Sequence, residues 1–258
     1  MTSTSEKAAL LRSLHVPGDP LIVTNVWDAA TARAVAGVPG VRALATASHA
    51  VAEAHGVDDG EGLSADQAIE TARIIAASVE LPVSVDFERG YAADAAGVQA
   101  NIARLIEAGA AGLNLEDSLA DGGIRPLPEQ LERIAAVLTA ADAAGVPLSL
   151  NARVDTLNRG GAIDDALERA NAYLAAGATS AFLLGLADAE LVGRAVAEIH
   201  GPVAVIARAG YLPIAQLADL GVARISVGPA AQGLTLAHLA AAAATLTARG
   251  DYPAELGW

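Results

Sequence analysis

Three short runs carry acids, amides and one arginine at alternating positions: V-D-F-E-R-G-Y at 85–91, G-L-N-L-E-D-S at 112–118 and N-A-R-V-D at 151–155. Side chains two apart on a β-strand share a face. Asp86 and Glu88 are therefore expected to point the same way, as are Asn114 with Glu116 and Asn151 with Arg153. If those faces meet at one mouth, three carboxylates converge. Asp86, Glu88 and Glu116 cannot all stay ionised so close together without a cation. A hard divalent ion that takes oxygen ligands, Mg²⁺ or Mn²⁺, answers that need. Arg153 then offers a planar fork to the carboxylate or phosphonate of a small anionic substrate. The chemistry such a set can do is metal-assisted bond breaking beside a carbonyl. Taken singly, each residue reads as an ordinary polar cap on a strand. Together, at alternating positions of consecutive apolar runs, they read as a site.

The elements that must position this set follow from the spacing of apolar residues. Strands are expected at 21–26, 43–47, 82–88, 112–117, 147–154, 180–184, 203–207 and 224–227. Alanine-rich stretches of helical period lie between them, as with Leu131, Ile134 and Leu138, or Leu167, Ala170 and Leu174. Several joints repeat one phrase, E-A-G-A-A-G-L at 107–113, D-A-A-G-V-P-L at 142–148 and L-A-A-G-A-T-S at 174–180. Its glycine suits the left-handed residue that ends a helix, and a strand begins just after. Alternating strands and helices imply parallel pairing through right-handed crossovers. Eight units in this length predict an α/β chain folded as a (β/α)₈ barrel. An open doubly wound sheet is the second reading, weakened because no G-x-G-x-x-G follows the first strand. No linker composition interrupts the chain. One domain is expected over 1–258, with the barrel at about 20–228 and a C-terminal helical segment at 229–258.

Barrel sites lie at the C-terminal ends of the strands. Those ends supply Asn25, Trp27, Asp28 and Thr31, then Thr46, Ser48 and His49, then the three runs above; the last three strands end in almost nothing ionisable. Composition limits the function further. The 258 residues include no Cys, which removes disulfides, thiolate metal sites and cysteine nucleophiles. The net charge of −14 and 3% aromatic content argue against nucleic acid and anionic membrane surfaces. The first residues show no signal-peptide pattern, which leads to an expectation of the cytoplasm. Residues 225–248 lack Asp, Glu, Lys and Arg. Their bulk is mostly alanine, so they are read as a buried helix and not as a membrane span. A helix with no charge on any face needs cover on more than one side. A homo-oligomer is expected, with this helix at the subunit interface.

V-D-F-E-R-G-Y, G-L-N-L-E-D-S and N-A-R-V-D, with N-V-W-D-A-A-T-A-R at 25–33 and G-V-D-D-G-E-G-L-S at 56–64, resemble the blocks of the isocitrate lyase / phosphoenolpyruvate mutase superfamily, from about Leu21 to Gly228. The resemblance implies a (β/α)₈ barrel, Mg²⁺ and chemistry on 2-oxo acids through an enolate. By position it implies that Asp86, Glu88 and Glu116 are the metal-site acids, some acting through water. It makes Asp59 a catalytic loop acid alongside Glu116 and Arg153. Trp27, Asp28 and Thr31, with Thr46 and Ser48, match segments that hold the substrate's carboxylate end. Asn151, on the face of Arg153, is grouped with them. The resemblance also implies a homodimer or homotetramer that exchanges a C-terminal helix.

Departures from the pattern shape the expected reaction. The loop D-S-L-A-D-G-G-I-R-P-L at 117–127 has no Cys, Lys or His, unlike the isocitrate-lyase and mutase branches. His49 stands where many relatives carry Ala, and Arg125 sits in the loop; either could take part in the chemistry. The expectation is a lyase that cleaves a C–C bond of a 2-oxo acid or related carboxylate, resembling oxaloacetate decarboxylases and hydrolases or 2-alkylmalate lyases. C–P chemistry, as in phosphonopyruvate hydrolase or phosphoenolpyruvate mutase, is the alternative. Two other readings are a barrel that binds a small acid without turning it over, and an unrelated phosphate-binding barrel using A-R-A-G at 207–210 and V-G-P-A at 227–230.

Overall fold

Each expected apolar run becomes a strand, and the glycine joints turn the chain back into the next one. The computed structural model describes residues 2–251. Its strands are β1 Leu21–Val23, β2 Asn25–Val26, β3 Leu44–Thr46, β4 Val83–Asp86, β5 Gly112–Glu116, β6 Ser149–Val154, β7 Ser180–Leu183, β8 Val203–Ile206 and β9 Arg224–Ser226. All pairings are parallel. The order runs β1-β9-β8-β7-β6-β5-β4-β3-β2. β1 and β2 are one expected strand interrupted at Thr24, so the nine segments make eight staves and the ring closes through that break. This is the (β/α)₈ barrel.

The helices are α1 Thr4–Ser13, α2 Ala29–Ala36, α3 Ser48–His55, α4 Ala65–Ala77, α5 Ala95–Glu107, α6 Leu127–Ala144, α7 Ile163–Ala175, α8 Ala189–Glu198, α9 Ile214–Asp219 and α10 Ala230–Thr247. The main core lies between the ring of helices and the outward faces of the strands, with Ile75, Val85, Ile102, Leu113, Ile134, Leu150 and Val205 buried in it.

The N-terminal end of the barrel is closed by a helix that strand-counting does not anticipate. A capping box between Ser3 and Glu6 starts α1. Ala8, Leu11 and Leu14 then pack on Leu21, Val23, Ala43, Ala45 and Ala111. Gly112 makes room for this plug: a Cβ there would lie 2.5 Å from the Ser149 carbonyl oxygen and 2.8 Å from Leu11 Cδ2.

Above the plug the barrel interior is polar. The Asn151 amide donates to Asn114 Oδ1 at 2.8 Å, Ser180 Oγ donates to Asn151 Oδ1 at 2.7 Å, and the buried Arg224 donates to Ser84 Oγ at 3.1 Å. Amides that bond one another across neighbouring strands give a floor of fixed dipoles beneath the C-terminal mouth.

No described helix is long and apolar enough to cross a membrane. Of α10 only Gln232 and Ala242 are buried, and Gln232 anchors it by donating to the Ala50 carbonyl at 2.9 Å. Leu234 and Leu239 are 75% and 60% exposed, and Leu236 and Leu246 are exposed too. The helix therefore lies much less against the barrel than its lack of charge suggests. An uncharged helix with leucine on several faces gains little from standing in water. We propose that a second copy of the chain covers it. Light scattering at micromolar concentration should give a dimer or larger mass for the wild type and a monomer mass for Leu239→Asp, with the cooperative thermal unfolding of the barrel retained in the variant. A monomeric wild type would overturn the assembly.

Candidate active site

At the C-terminal ends of the strands lies a cavity of about 210 Å³. One side is polar: Asn25, Ser48, His49, Asp59, Asp86, Asn114 and Arg153. The other is largely apolar: Phe182, Leu184 and Ile206, with Ser226, Gly228 and Pro229 at the edge.

Asp86 closes β4 and faces the cavity. Its Oδ2 accepts the Ser48 N–H at 3.1 Å, and its own N–H donates to Thr46 Oγ1 at 2.8 Å. Thr46 is thus a support for Asp86 and does not line the cavity.

Glu88 does not share the face of Asp86. The strand ends at Asp86, and Glu88 takes the left-handed conformation, φ 45°, so the alternation that would align the two no longer applies. Its carboxylate turns back and accepts the Glu61 N–H at 2.6 Å and the Tyr91 hydroxyl at 2.5 Å. Burial pushes the Glu88 carboxyl up to about 7; the Tyr91 hydrogen bond opposes this, and the negative charges of Asp86 and Asp59 add to it.

Glu116, the inward residue at the end of β5, is paired with Arg153 Nη1 at 2.7 Å and accepts from Ser118 Oγ. Burial carries its carboxyl up to about 7 although the Arg153 charge pulls the other way. Arg153 also holds Asp155 through Nη2 at 3.0 Å and Nε at 3.1 Å. Burial works against the guanidinium's charge, but Glu116 and Asp155 outweigh it and hold its pKa above the ordinary value.

The three expected metal-site acids are therefore neighbours without forming a closed cage. Among the described residues no three His or acidic side chains gather tightly enough to enclose an ion. Asp86 alone of the three lines the cavity. The donor set still suits Mg²⁺, which keeps several waters and needs only one or two direct carboxylates. Asp86 can serve directly, with Glu88 and Glu116 behind it, each a buried carboxylate whose ionised form lacks enough positive charge nearby.

The loop at 56–64 is fastened to the turn after β4. Glu61, itself at φ 64°, accepts the Tyr91 N–H at 2.7 Å and pairs with Arg89 at 3.2 Å; Arg89 donates to the Gly60 carbonyl at 2.8 Å. This places Asp59 at the mouth, 3.7 Å from His49 Nδ1.

Other expected residues lie elsewhere. Asp28 caps α2, its carboxylate accepting the Thr31 N–H at 2.7 Å, and Thr31 Oγ1 accepts the Asp28 N–H at 3.3 Å to complete a capping box. Trp27 and Asp28 border an outer groove with His55 and Gln67 instead of the cavity. Asn151 spends its amide within the barrel floor. Arg125 lies 3.8 Å from Glu129 and does not reach the cavity. The apolar wall of Phe182, Leu184 and Ile206 and the latch of Glu61, Arg89 and Tyr91 escape a search for ionisable strand ends. The signals for the wall were the lack of ionisable residues at the last three strand ends and the alternation of Phe182 and Leu184 after Ser180.

Comparison with known proteins adds an independent observation. The family model described as phosphoenolpyruvate phosphomutase matches residues 11–247. An uncharacterized protein of Mycobacterium tuberculosis is 33% identical over 234 residues, covering 89% of this chain and 86% of its own. A crystal structure described as a putative phosphonomutase from Burkholderia cenocepacia is 41% identical, covers 96% of this chain and all of its own, and superposes with a TM-score of 0.89. A phosphonopyruvate hydrolase solved with oxalate and Mg²⁺ shares the fold at a TM-score of 0.88 and 22% identity, with 98% of this chain and 92% of its own covered.

The raised carboxyl of Glu88 has a consequence for folding. Its pKa rises from 4.5 to about 7, so the folded state binds the proton more tightly than the unfolded chain. That contribution is fully present below 4.5 and is lost as pH rises through 7. Chelator-treated wild type should therefore lose more stability to urea between pH 4.5 and 7.5 than Glu88→Gln, which has no proton to release. Parallel curves would mean that Glu88 is ionised throughout.

Proposed function

This chain belongs to the phosphoenolpyruvate mutase / isocitrate lyase superfamily, which includes lyases and mutases acting on carboxylates, and we propose that it is a divalent-metal-dependent lyase. Its substrate would be a small 2-oxo acid or related carboxylate whose C–C bond is broken by way of an enolate. The observation that carries this reading is the division of one small cavity into a charged half and an apolar half.

In the charged half, Arg153 is a cation whose plane is fixed by Glu116 and Asp155, ready for a carboxylate. Across from it begins α3, whose N-cap Ala47 has no side-chain acceptor to offer. Ser48 gives its N–H to Asp86, and the next amides of the first turn are open to an anion. These groups hold the acid end and orient the bond that breaks. A bound divalent ion, held by Asp86 and backed by Glu88 and Glu116, would supply Lewis-acid stabilisation of the enolate charge.

In the apolar half, Phe182, Leu184 and Ile206 keep water from the reacting carbon, which strengthens every charge interaction beside it. The same wall favours C–C over C–P cleavage. Among the described residues, Arg153 is the one guanidinium lining the cavity, and no lysine lines it. A phosphonate dianion seated opposite it would face two aliphatic side chains and a phenyl ring. An alkyl or carboxylate leaving fragment loses much less there.

The test is a panel of oxaloacetate, alkyl-substituted malates and phosphonopyruvate, each with Mg²⁺ and with chelator, read as release of pyruvate, CO₂ or phosphate. Pyruvate or CO₂ release that stops on chelation supports the reading. Phosphate release would establish C–P chemistry, and thermal stabilisation without any product would make the barrel a binder. Arg153→Lys keeps the charge but loses the fork, and should lower kcat/KM about 10²-fold, or ~2.7 kcal/mol of transition-state binding. An unchanged value would remove Arg153 from the substrate site.

A further inference from the structure

Any enolate formed in this cavity must receive a proton on carbon before product leaves, and the cavity wall contains few groups that can give one. Its ionisable lining is His49, Asp59, Asp86 and Arg153. Arg153 is fixed by two carboxylates and does not part with its proton. Asp86 is engaged as an acceptor of the Ser48 and Asn114 N–H groups, at 3.1 and 3.4 Å. Ser48 and Ser226 offer only hydroxyls, which are very weak acids. The Tyr91 hydroxyl is committed to Glu88; burial, and then the Glu88 charge, raise its pKa, and it lies outside the cavity. The 117–127 stretch brings no Cys, Lys or His, and its one basic side chain, Arg125, sits by Glu129.

His49 remains. It stands in the first turn of α3 on the cavity wall, its Nδ1 3.7 Å from Asp59 Oδ2. That spacing is longer than a hydrogen bond, as is common for catalytic pairs before substrate is present. It turns the Nδ1 edge toward the loop acid and leaves Nε2 for the substrate. The two side chains are 57% and 42% exposed, so both have access to bulk water.

We infer that His49 is the general acid that protonates the enolate, oriented by Asp59; this rests on the lyase reading above. The electron pair of the broken C–C bond is held in the enolate. As the carbonyl re-forms, the C=C pair takes the Nε2 proton to make a C–H bond. The neutral imidazole then recovers a proton from water at the mouth. Run backwards, neutral His49 removes a methyl proton from pyruvate. Imidazole is the side chain best suited to give and take protons near neutral pH.

The reverse half-reaction gives the test. Pyruvate is incubated with the protein and Mg²⁺ in D₂O, methyl exchange is followed by proton NMR, and oxalate binding is measured by calorimetry on the same samples. The wild type should exchange, and His49→Gln should exchange about 10²-fold more slowly or worse while binding oxalate unchanged. Added imidazole should restore part of the exchange to His49→Ala. Equal exchange in wild type and His49→Gln would overturn the assignment and leave the lyase reading intact. Loss of oxalate binding in His49→Gln would make His49 a binding residue instead, and a wild type that binds oxalate without exchanging pyruvate would also overturn it. A wild type that fails even to bind oxalate would defeat the lyase reading, and His49 as its acid with it.

Discussion

Arg153 has to sit between Glu116 and Asp155, and much of the site follows from that. Glu116 is nearly buried and Asp155 fully so, and neither carboxylate can leave the barrel. Removing one partner from such a group strands a charge in low dielectric, which costs far more than the pair contributes when whole. The chain therefore surrounds the group with further bonds. The Asp155 N–H donates to Asp117 Oδ1 at 2.9 Å, and Asp117 also accepts from Tyr173 at 2.8 Å and lies 3.5 Å from Arg169. Arg169 in turn donates to the Arg125 carbonyl at 2.9 Å. The ends of β5 and β6, the helix α7 and the start of the 117–127 loop are fixed relative to one another by this single series of contacts. A guanidinium so held presents the same plane to every ligand.

A second constraint sits one strand away and uses backbone conformation in place of charge. Glu61, Glu88 and Tyr91 all have positive φ, a region that side chains with a Cβ occupy only at some cost. The cost is offset by reciprocal hydrogen bonds: Glu88 receives Glu61 and Tyr91, while Glu61 receives Tyr91 and Arg89. Arg133 bonds the carbonyls of Arg89, Ala92 and Ala93 from outside, and Asn101 bonds those of Gly90 and Tyr91. The product of this arrangement is the position of Asp59. A loop acid on a free segment would not face His49 reproducibly; here the loop is tied within two residues of it.

Periodicity made the barrel legible and failed where the strands stop. All eight expected strands are present, mostly a residue or two shorter at either end than the apolar runs that announced them. The period-two rule aligned Asn114 with Glu116 and Asn151 with Arg153 correctly, because β5 and β6 extend through both members of each pair. It misplaced Glu88 because β4 ends first. Trp27, Asp28 and Thr31 follow the same logic: they come after β2, where the chain is already starting α2, and the Asp28–Thr31 capping box is the stronger local demand. The plug helix α1 was hidden because Ala8, Leu11 and Leu14 bury against strand ends from distant parts of the sequence, which no local pattern reveals. The exposed leucines of α10 were readable as apolar but not as uncovered, since exposure is decided by what the rest of the chain leaves room for.

The cavity's asymmetry gives the short 117–127 loop its meaning. Strands β2 to β6 end in amides and charges, whereas β7 and β8 end in Phe182, Leu184 and Ile206. A loop that delivers a reactive group must close over a site otherwise open to water and must carry that group itself. In this chain the loop turns back on itself, with a Ser118–Ile124 bridge and Gly122 at φ 90°, and carries no Cys, Lys or His. Under the proposed reaction, excluding water would fall to the fixed apolar wall, and moving protons to what the barrel holds in place at the mouth. Groups positioned on rigid elements need no ordering when substrate arrives, so less binding energy is spent on closure. On the proposed reading, selection would rest on the shape and polarity of a small cavity, charged on the side that would hold the acid end and apolar on the other.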